Sequence, residues 1–217
     1  MDLTTFTPSS ALLTVVLLAM APFIAVMVTS FTKIVVVLSL LRNALGVQDT
    51  PPNLVLNGLA LVLTIYVMYP VGREVGDVVA QFVGPIDSTE QILQVANVSK
   101  EPFREFMLKH SNELERVFFQ KTIAKMMQRE TDVPVEADDF IVLLPAFTIS
   151  ELTEAFQIGF LIFLPFIVID LVVANILMAL GMMMLSPTLI SLPFKLLLFV
   201  IIEGWAKLTH GLVLSYL

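Results

Sequence analysis

Hydrophobic and polar positions along the chain sort into four long apolar stretches and one mixed segment. The first stretch runs from Ala11 to Leu41, broken only by Pro22 and Lys33. The second, Leu54 to Pro70, amounts to about 17 residues, roughly 25 Å of helix against a hydrocarbon core of about 30 Å. That is short for a free-standing span and predicts that neighbouring protein shares its surroundings. From Phe140 to the end the chain is apolar again, in two runs. Phe160 to Leu185 has Asp170 as its only charge, while Pro193 to Leu217 carries Lys195, Glu203, Lys207 and His210. Gly181 and the pair Pro187 and Pro193 mark the hinge between these runs.

Between Val71 and Asp139 the pattern changes. This segment holds eight lysines and arginines against thirteen acidic residues, hence five of the chain's seven net negative charges. Gly84-Pro85 and Val133-Pro134 punctuate it. Ser99 is a candidate N-cap for a helix beginning near Lys100, with Pro102 tolerated in its first turn. Phe103, Met107, Leu114, Phe118 and Met127 recur at multiples of three to four, which predicts an amphipathic, water-facing helix. The expected organisation is therefore an all-α integral membrane protein in three parts. Residues 1–70 form an N-terminal hydrophobic helical hairpin, 71–139 a polar and mostly helical insert, and 140–217 the C-terminal hydrophobic helices.

Composition reinforces this pattern. Hydrophobic residues make up 57% of the 217 and charged residues 14%, with a mean hydropathy of +0.90, whereas ordinary globular chains are roughly 45–50% apolar and about 25% charged. The excess needs lipid or other subunits. A net charge of −7 argues against nucleic-acid binding, which requires clustered cations to displace phosphate counterions. Cysteine is absent, which excludes disulfides and thiolate chemistry. The start, Met1-Asp2-Leu3-Thr4, lacks the cationic region of a secretory signal, so the first apolar run is expected to be retained. Arg42 follows the first run and Lys195 ends the link between the last two. The positive-inside rule puts both on the cytoplasmic side of the membrane, leaving the N-terminus, the insert and the C-terminus outside.

Ionisable residues within apolar runs are functional candidates, since a centred charge costs roughly 2.5–3.5 kcal/mol on insertion scales. Here they are Lys33, Glu151, Glu154, Asp170 and Glu203. An ion-coupled transporter would use such carboxylates as a relay; the plainer reading is that they pair with one another or face other subunits or water. Glu151 and Glu154 fall on one helical face. Paired carboxylates can perform acid–base work, but no nucleophile or metal-ligand set accompanies them. There is no H-x-x-x-H pair, no phosphate-binding loop and no G-x-S-x-G, so neither catalysis nor a cofactor or metal is expected.

Gly181-Met182-Met183-Met184-Leu185-Ser186-Pro187 closes a long apolar run. Methionine is flexible and polarizable and packs against surfaces of varying shape. Three in a row, contributed by several subunits, could form a compliant seal; equally, they could be a Met-rich helix end touching lipid or a neighbour.

Several strings together resemble the SctR/FliP family of type III export-gate proteins. These are Phe31-Thr32-Lys33-Ile34-Val35-Val36-Val37-Leu38 through Leu41-Arg42-Asn43-Ala44-Leu45-Gly46, then Pro51-Pro52-Asn53, and a block from Pro145 to Phe199. The block includes Leu164-Pro165-Phe166, Ile169-Asp170-Leu171-Val172, Gly181-Met182-Met183-Met184 and Ser191-Leu192-Pro193-Phe194-Lys195. The resemblance implies a non-enzymatic, multi-pass subunit of the bacterial inner membrane, for which the outside face of the positive-inside reading, insert included, is the periplasm. It also implies assembly as a pentameric helical ring with SctS/FliQ-type and SctT/FliR-type subunits, next to a larger export-gate subunit and the basal body of the secretion system. Unfolded proteins would be the substrates. The family's methionine loop, a gasket in the closed pore, corresponds to Met182, Met183 and Met184, hinged at Gly181 and Pro187. Flagellar members usually carry a cleavable signal and a longer N-terminal extension; this chain begins almost directly at its first helix, which points to the virulence-type branch rather than a flagellar gate.

Overall fold

The computed structural model describes residues 15–16, 19–20, 22–23, 25–47, 50–81, 94–95, 97–127, 135–182 and 184–217. The start of the chain, Gly84-Pro85, Val133-Pro134 and Met183 lie outside them. The elements are α1 (Phe31–Leu45), α2 (Asn53–Val67), α3 (Tyr69–Gln81), α4 (Glu101–His110), α5 (Glu113–Met127), α6 (Phe140–Ala179), α7 (Pro187–Ile201) and α8 (Gly204–Leu214). Among the described residues there is no strand, and the protein is an all-α membrane protein.

α1 is the centre of the packing. Ile34, Val37, Leu38, Leu41, Ala44 and Leu45 repeat at helical spacing and are all buried. The helix ends at Gly46, whose φ of 74° suits glycine and whose N–H donates to the Asn43 carbonyl at 3.1 Å. α2 buries only Leu56, Ala60 and Thr64, one residue per turn, against α1. Its remaining faces expose Leu54, Val55, Leu61, Val62, Ile65 and Tyr66. Pro70 cannot donate a backbone hydrogen bond, and α2 gives way to α3 at Met68 with a 56° bend.

α6 continues for 40 residues through Pro145 and Pro165, a length of about 60 Å, twice the hydrocarbon core of a bilayer. It is the one helix among the described residues that is long and apolar enough to cross a membrane by itself; the bent pairs α2–α3 and α7–α8 qualify only if each counts as one span. α1 and α6 run in the same direction. Lys33 sits at Glu151 and Glu154, Leu40 at Gly159, and Leu41 to Leu45 at Phe166. Because α1 stops at Gly46, the last turns of α6 and the first of α7 project beyond it as a hairpin. α7 returns antiparallel, with Phe199 joining Phe166. α8 bends 61° from α7 at Glu203, a non-glycine residue at φ 53°, and packs Leu208 and Leu212 onto the α1–α6 core.

The mixed segment differs from the continuous helix that periodicity predicts. It breaks at Ser111–Asn112, where the Asn112 side chain accepts from the Leu114 N–H at 2.8 Å and the Asn112 N–H donates to Ser150 Oγ at 2.8 Å. Pro102 occupies the first turn of α4, but the flanking residue is Lys100, not Ser99, and no side chain caps the helix.

Candidate functional site

Two buried charge clusters and one methionine turn occupy successive levels of the α1–α6–α7 packing. In the first cluster, Lys33 projects from the first turn of α1 with 1% exposure. Its Nζ lies 3.0 Å from Glu151 Oε1 and donates to Glu154 Oε2 at 2.6 Å. Glu151 is fully buried, whereas Glu154, one turn further along α6, is 49% exposed. The other Glu151 oxygen accepts a hydrogen bond from the Tyr216 hydroxyl, and the Tyr216 ring lies 4.1 Å from Lys33 Nζ, a cation–π contact. One lysine thus serves two carboxylates, and a tyrosine from the far end of the chain closes over it.

Tyr216 also ties the polar segment to this cluster. Its ring stacks on Phe106 of α4 at 6.0 Å and meets His110 edge-on at 5.1 Å, while Phe106 meets Phe147 of α6 at 5.8 Å. Burial, the Lys33 cation and then Lys109 lower the His110 pKa from 6.5 to about 4, against a smaller opposing effect of Glu154. The folded state therefore holds His110 neutral where an unfolded chain would protonate it. This contribution to stability is complete above pH 6.5 and is lost as pH falls from 6.5 towards 4, because the unfolded state binds more protons in that window. Thermal unfolding of the purified protein at pH 7.5, 6 and 5 is expected to show a falling midpoint, with a shallower decline in His110→Gln; parallel declines would contradict it.

The second cluster joins the two hairpin arms. Asp170 of α6 accepts from Lys195 Nζ at 2.7 Å and from Ser191 Oγ at 2.5 Å, both on α7. Lys195 Nζ also reaches the Ala44 carbonyl at 3.4 Å, setting a cation at the C-terminal, negative end of the α1 dipole. Lys195 is therefore buried inside α7, not a free charge in a cytoplasmic link, and it drops out of the positive-inside count. Arg42 donates to Asn53 Oδ1 at 2.5 Å and to the Pro51 carbonyl at 3.4 Å, bracing the α1–α2 turn.

Beyond this cluster, Val172, Val173, Ile176 and Leu177 of α6 and Ile190 and Phe194 of α7 border a wholly apolar cavity of about 430 Å³. The turn that follows begins with Gly181 at φ 73°. The Gly181 N–H donates to Met178 O at 3.0 Å and the Met182 N–H to Leu177 O at 2.9 Å, the paired C-terminal bonds of a Schellman motif. Pro187 opens α7, where its missing N–H costs nothing. Met182 and Met184 between them are exposed, Met184 completely.

The structure thus brings Lys33, Glu151 and Glu154 into one cluster, keeps Asp170 in another, and separates both from the methionines. Tyr216, His110, Ser191 and Lys195 belong to the clusters without having been singled out as site residues in the sequence. Lys195 was detectable as a charge inside an apolar run; Tyr216 and His110 gave no local signal. Among the described residues no group of three or more His, Asp or Glu side chains is placed to hold a metal.

The fold and its paired internal charges define a membrane protein whose helices leave most of their apolar surface open to surrounding lipid or protein. A family model described as the FliP family matches residues 12–212, and the chain belongs to that family. It is 49% identical over 211 residues to the hypersensitivity response secretion protein HrcR of Ralstonia nicotianae, covering 96% of this chain and 97% of that one. It is 52% identical over 200 residues to the Yop proteins translocation protein R of Yersinia pestis, covering 92% of each. To the flagellar biosynthetic protein FliP of Pectobacterium carotovorum it is 48% identical over 200 residues, 92% of this chain and 75% of that protein.

Proposed function

We propose that this chain is a pore-forming subunit of a type III secretion export gate, conducting unfolded proteins across the bacterial inner membrane without catalysing a reaction. The observation that carries this reading is the α6–α7 hairpin: its tip presents Met182 and Met184 to the outside on a glycine-and-proline-framed turn, in a chain of the FliP family. Copies arranged as a pentameric ring would bring these turns together as a compliant gasket around the axis. SctS/FliQ-type and SctT/FliR-type subunits would complete the gate beneath a larger export-gate subunit and the basal body. In this reading the chain passes the membrane more than once and residues 71–139 stand in the periplasm. Residues 1–70 and 140–217 form the hydrophobic walls.

A carboxylate relay in an ion-coupled transporter fits less well, because Glu151 and Glu154 are both bound to Lys33 and Asp170 is bound to Lys195. Replacing Met182, Met183 and Met184 together with alanine is expected to make the assembled complex leak ions and small solutes, measured as dye or conductance flux across membranes containing it. Unchanged flux, with assembly verified by complex size, would remove the gasket.

A further inference from the structure

The turn that follows α8 fastens the polar segment to the hydrophobic helices through a small aromatic box. Tyr216 is buried, its hydroxyl donates to Glu151 and its ring touches Phe106 and His110 of α4. Lys109 Nζ donates to the Leu217 backbone oxygen at 3.2 Å. Val71 of α3 and Met107 of α4 belong to the same buried cluster. His110 is half-buried there, 4.7 Å from the Phe106 ring and 5.1 Å from the Tyr216 ring. Such contacts suit a neutral imidazole packed among aromatic rings.

The charges around this end of α4 are unfavourable to a second proton. Lys33 of α1 lies 4.1 Å from the Tyr216 ring, Lys109 adjoins His110 in α4, and Arg116 of α5 donates to the Leu108 carbonyl at 2.9 Å. The carboxylates on this side, Glu151 and Glu154 of α6, are both bound to Lys33, and α3 contributes the apolar Val71. An imidazolium would therefore join three cations in a place where water is scarce and charge is costly. We propose that residues 215–217 form an acid-released clasp: with His110 neutral, Tyr216 fastens α4 to α1 and α6, and protonation of His110 expels Tyr216 and frees α4. The clasp belongs to the single folded chain and does not depend on the pore reading. Its direction follows from linkage. His110 titrates near 6.5 in water and near 4 in the box, so the open state binds more protons and falling pH favours opening. Between pH 7.5 and 5 the open population rises about 30-fold. Opening stays local, because α1 and α6 keep their own core of Ile34, Val37, Leu38 and Ala155.

The absence of native cysteine lets single thiols report on each part. Met107→Cys and Val71→Cys place a thiol in the box, Val37→Cys in the α1–α6 core, and Leu114→Cys at an exposed site of α5. Two box positions are used because truncating Met107 loosens packing by itself, whereas Val71→Cys changes little volume. The full chain in detergent is labelled with dithiodipyridine, which reacts with thiols in acid, and rates are normalised to Leu114→Cys. From pH 7.5 to 5 the normalised labelling of Val71→Cys and Met107→Cys is expected to rise about 30-fold, while Val37→Cys stays protected. Adding His110→Phe, which keeps an uncharged ring, or His110→Gln should remove the rise. The clasp is overturned if Val71→Cys labelling does not change with pH, or if its rise survives both His110 substitutions. It is equally overturned if Val37→Cys becomes reactive in parallel, since the whole fold would then be opening.

Discussion

Lys33→Met should collapse the stability of the folded chain, and adding Glu151→Gln should restore most of it. With Lys33 removed, Glu151 keeps only the Tyr216 hydroxyl as a partner in a fully buried position. Breaking a buried pair from one side typically costs about 3–5 kcal/mol, since the remaining charge stays out of water uncompensated. Neutralising the carboxylate as well removes that charge, and a pair replaced from both sides is often close to neutral. Glu154→Gln alone is expected to do far less, because that carboxylate is half exposed and water can replace the lysine. Thermal unfolding of the purified complex in detergent, followed through Trp205, the only tryptophan, reads all of these. A Lys33→Met midpoint equal to that of the native protein would show that the cluster contributes nothing to the fold.

Gly204→Ala is expected to produce the second large effect. A Cβ built at Gly204 would lie 2.1 Å from Phe199 Cε2, 2.2 Å from Cδ2 and 2.7 Å from Cζ, so the whole ring must move. Phe199 has little room: it is buried among Leu41, Ala44 and Phe166 and meets the Trp205 ring edge-on at 5.5 Å. Overpacking of this kind costs about 1–3 kcal/mol, and the α7–α8 bend is where it would appear. The expected result is a lowered unfolding midpoint with a shift in Trp205 emission, and less than additive damage when Phe199→Leu is present in the same chain. Gly159→Ala is the milder comparison. Its nearest obstacle at 2.3 Å is Leu40 Cδ1, the far end of a flexible side chain. Equal, negligible effects of both substitutions would mean that these helices do not approach as closely as described.

Much of the architecture is written in the order of apolar and polar residues. The Ile34–Leu45 repeat specifies α1 and the side it buries, and Gly46 marks its end. Gly181 and Pro187 likewise frame the turn between α6 and α7, since each acts through local backbone geometry. What escaped notice depends on residues distant in the chain. The break between α4 and α5 is held by a hydrogen bond from Asn112 to Ser150, 38 positions away, and no periodicity within the segment signals it. Tyr216 matters through Glu151, 65 positions earlier. Lys195 looked like a loop charge because Pro193 precedes it, yet α7 runs straight through that proline and delivers the ammonium to Asp170. The high cost of a buried charge demands a partner for Lys33, but only the parallel packing of α1 on α6 decides which carboxylates supply it.

That same packing fixes how force applied at the methionine turn would travel. The arms beyond Asp170 extend roughly 14 Å past α1, a free lever pinned at its root where Asp170, Ser191, Lys195 and the Ala44 carbonyl meet. The apolar cavity between the arms leaves their side chains room to shift if the tip is deflected. The Lys33 cluster lies roughly 17 Å back along α1 from the Ala44 carbonyl, so the end of this lever could yield while its mounting does not.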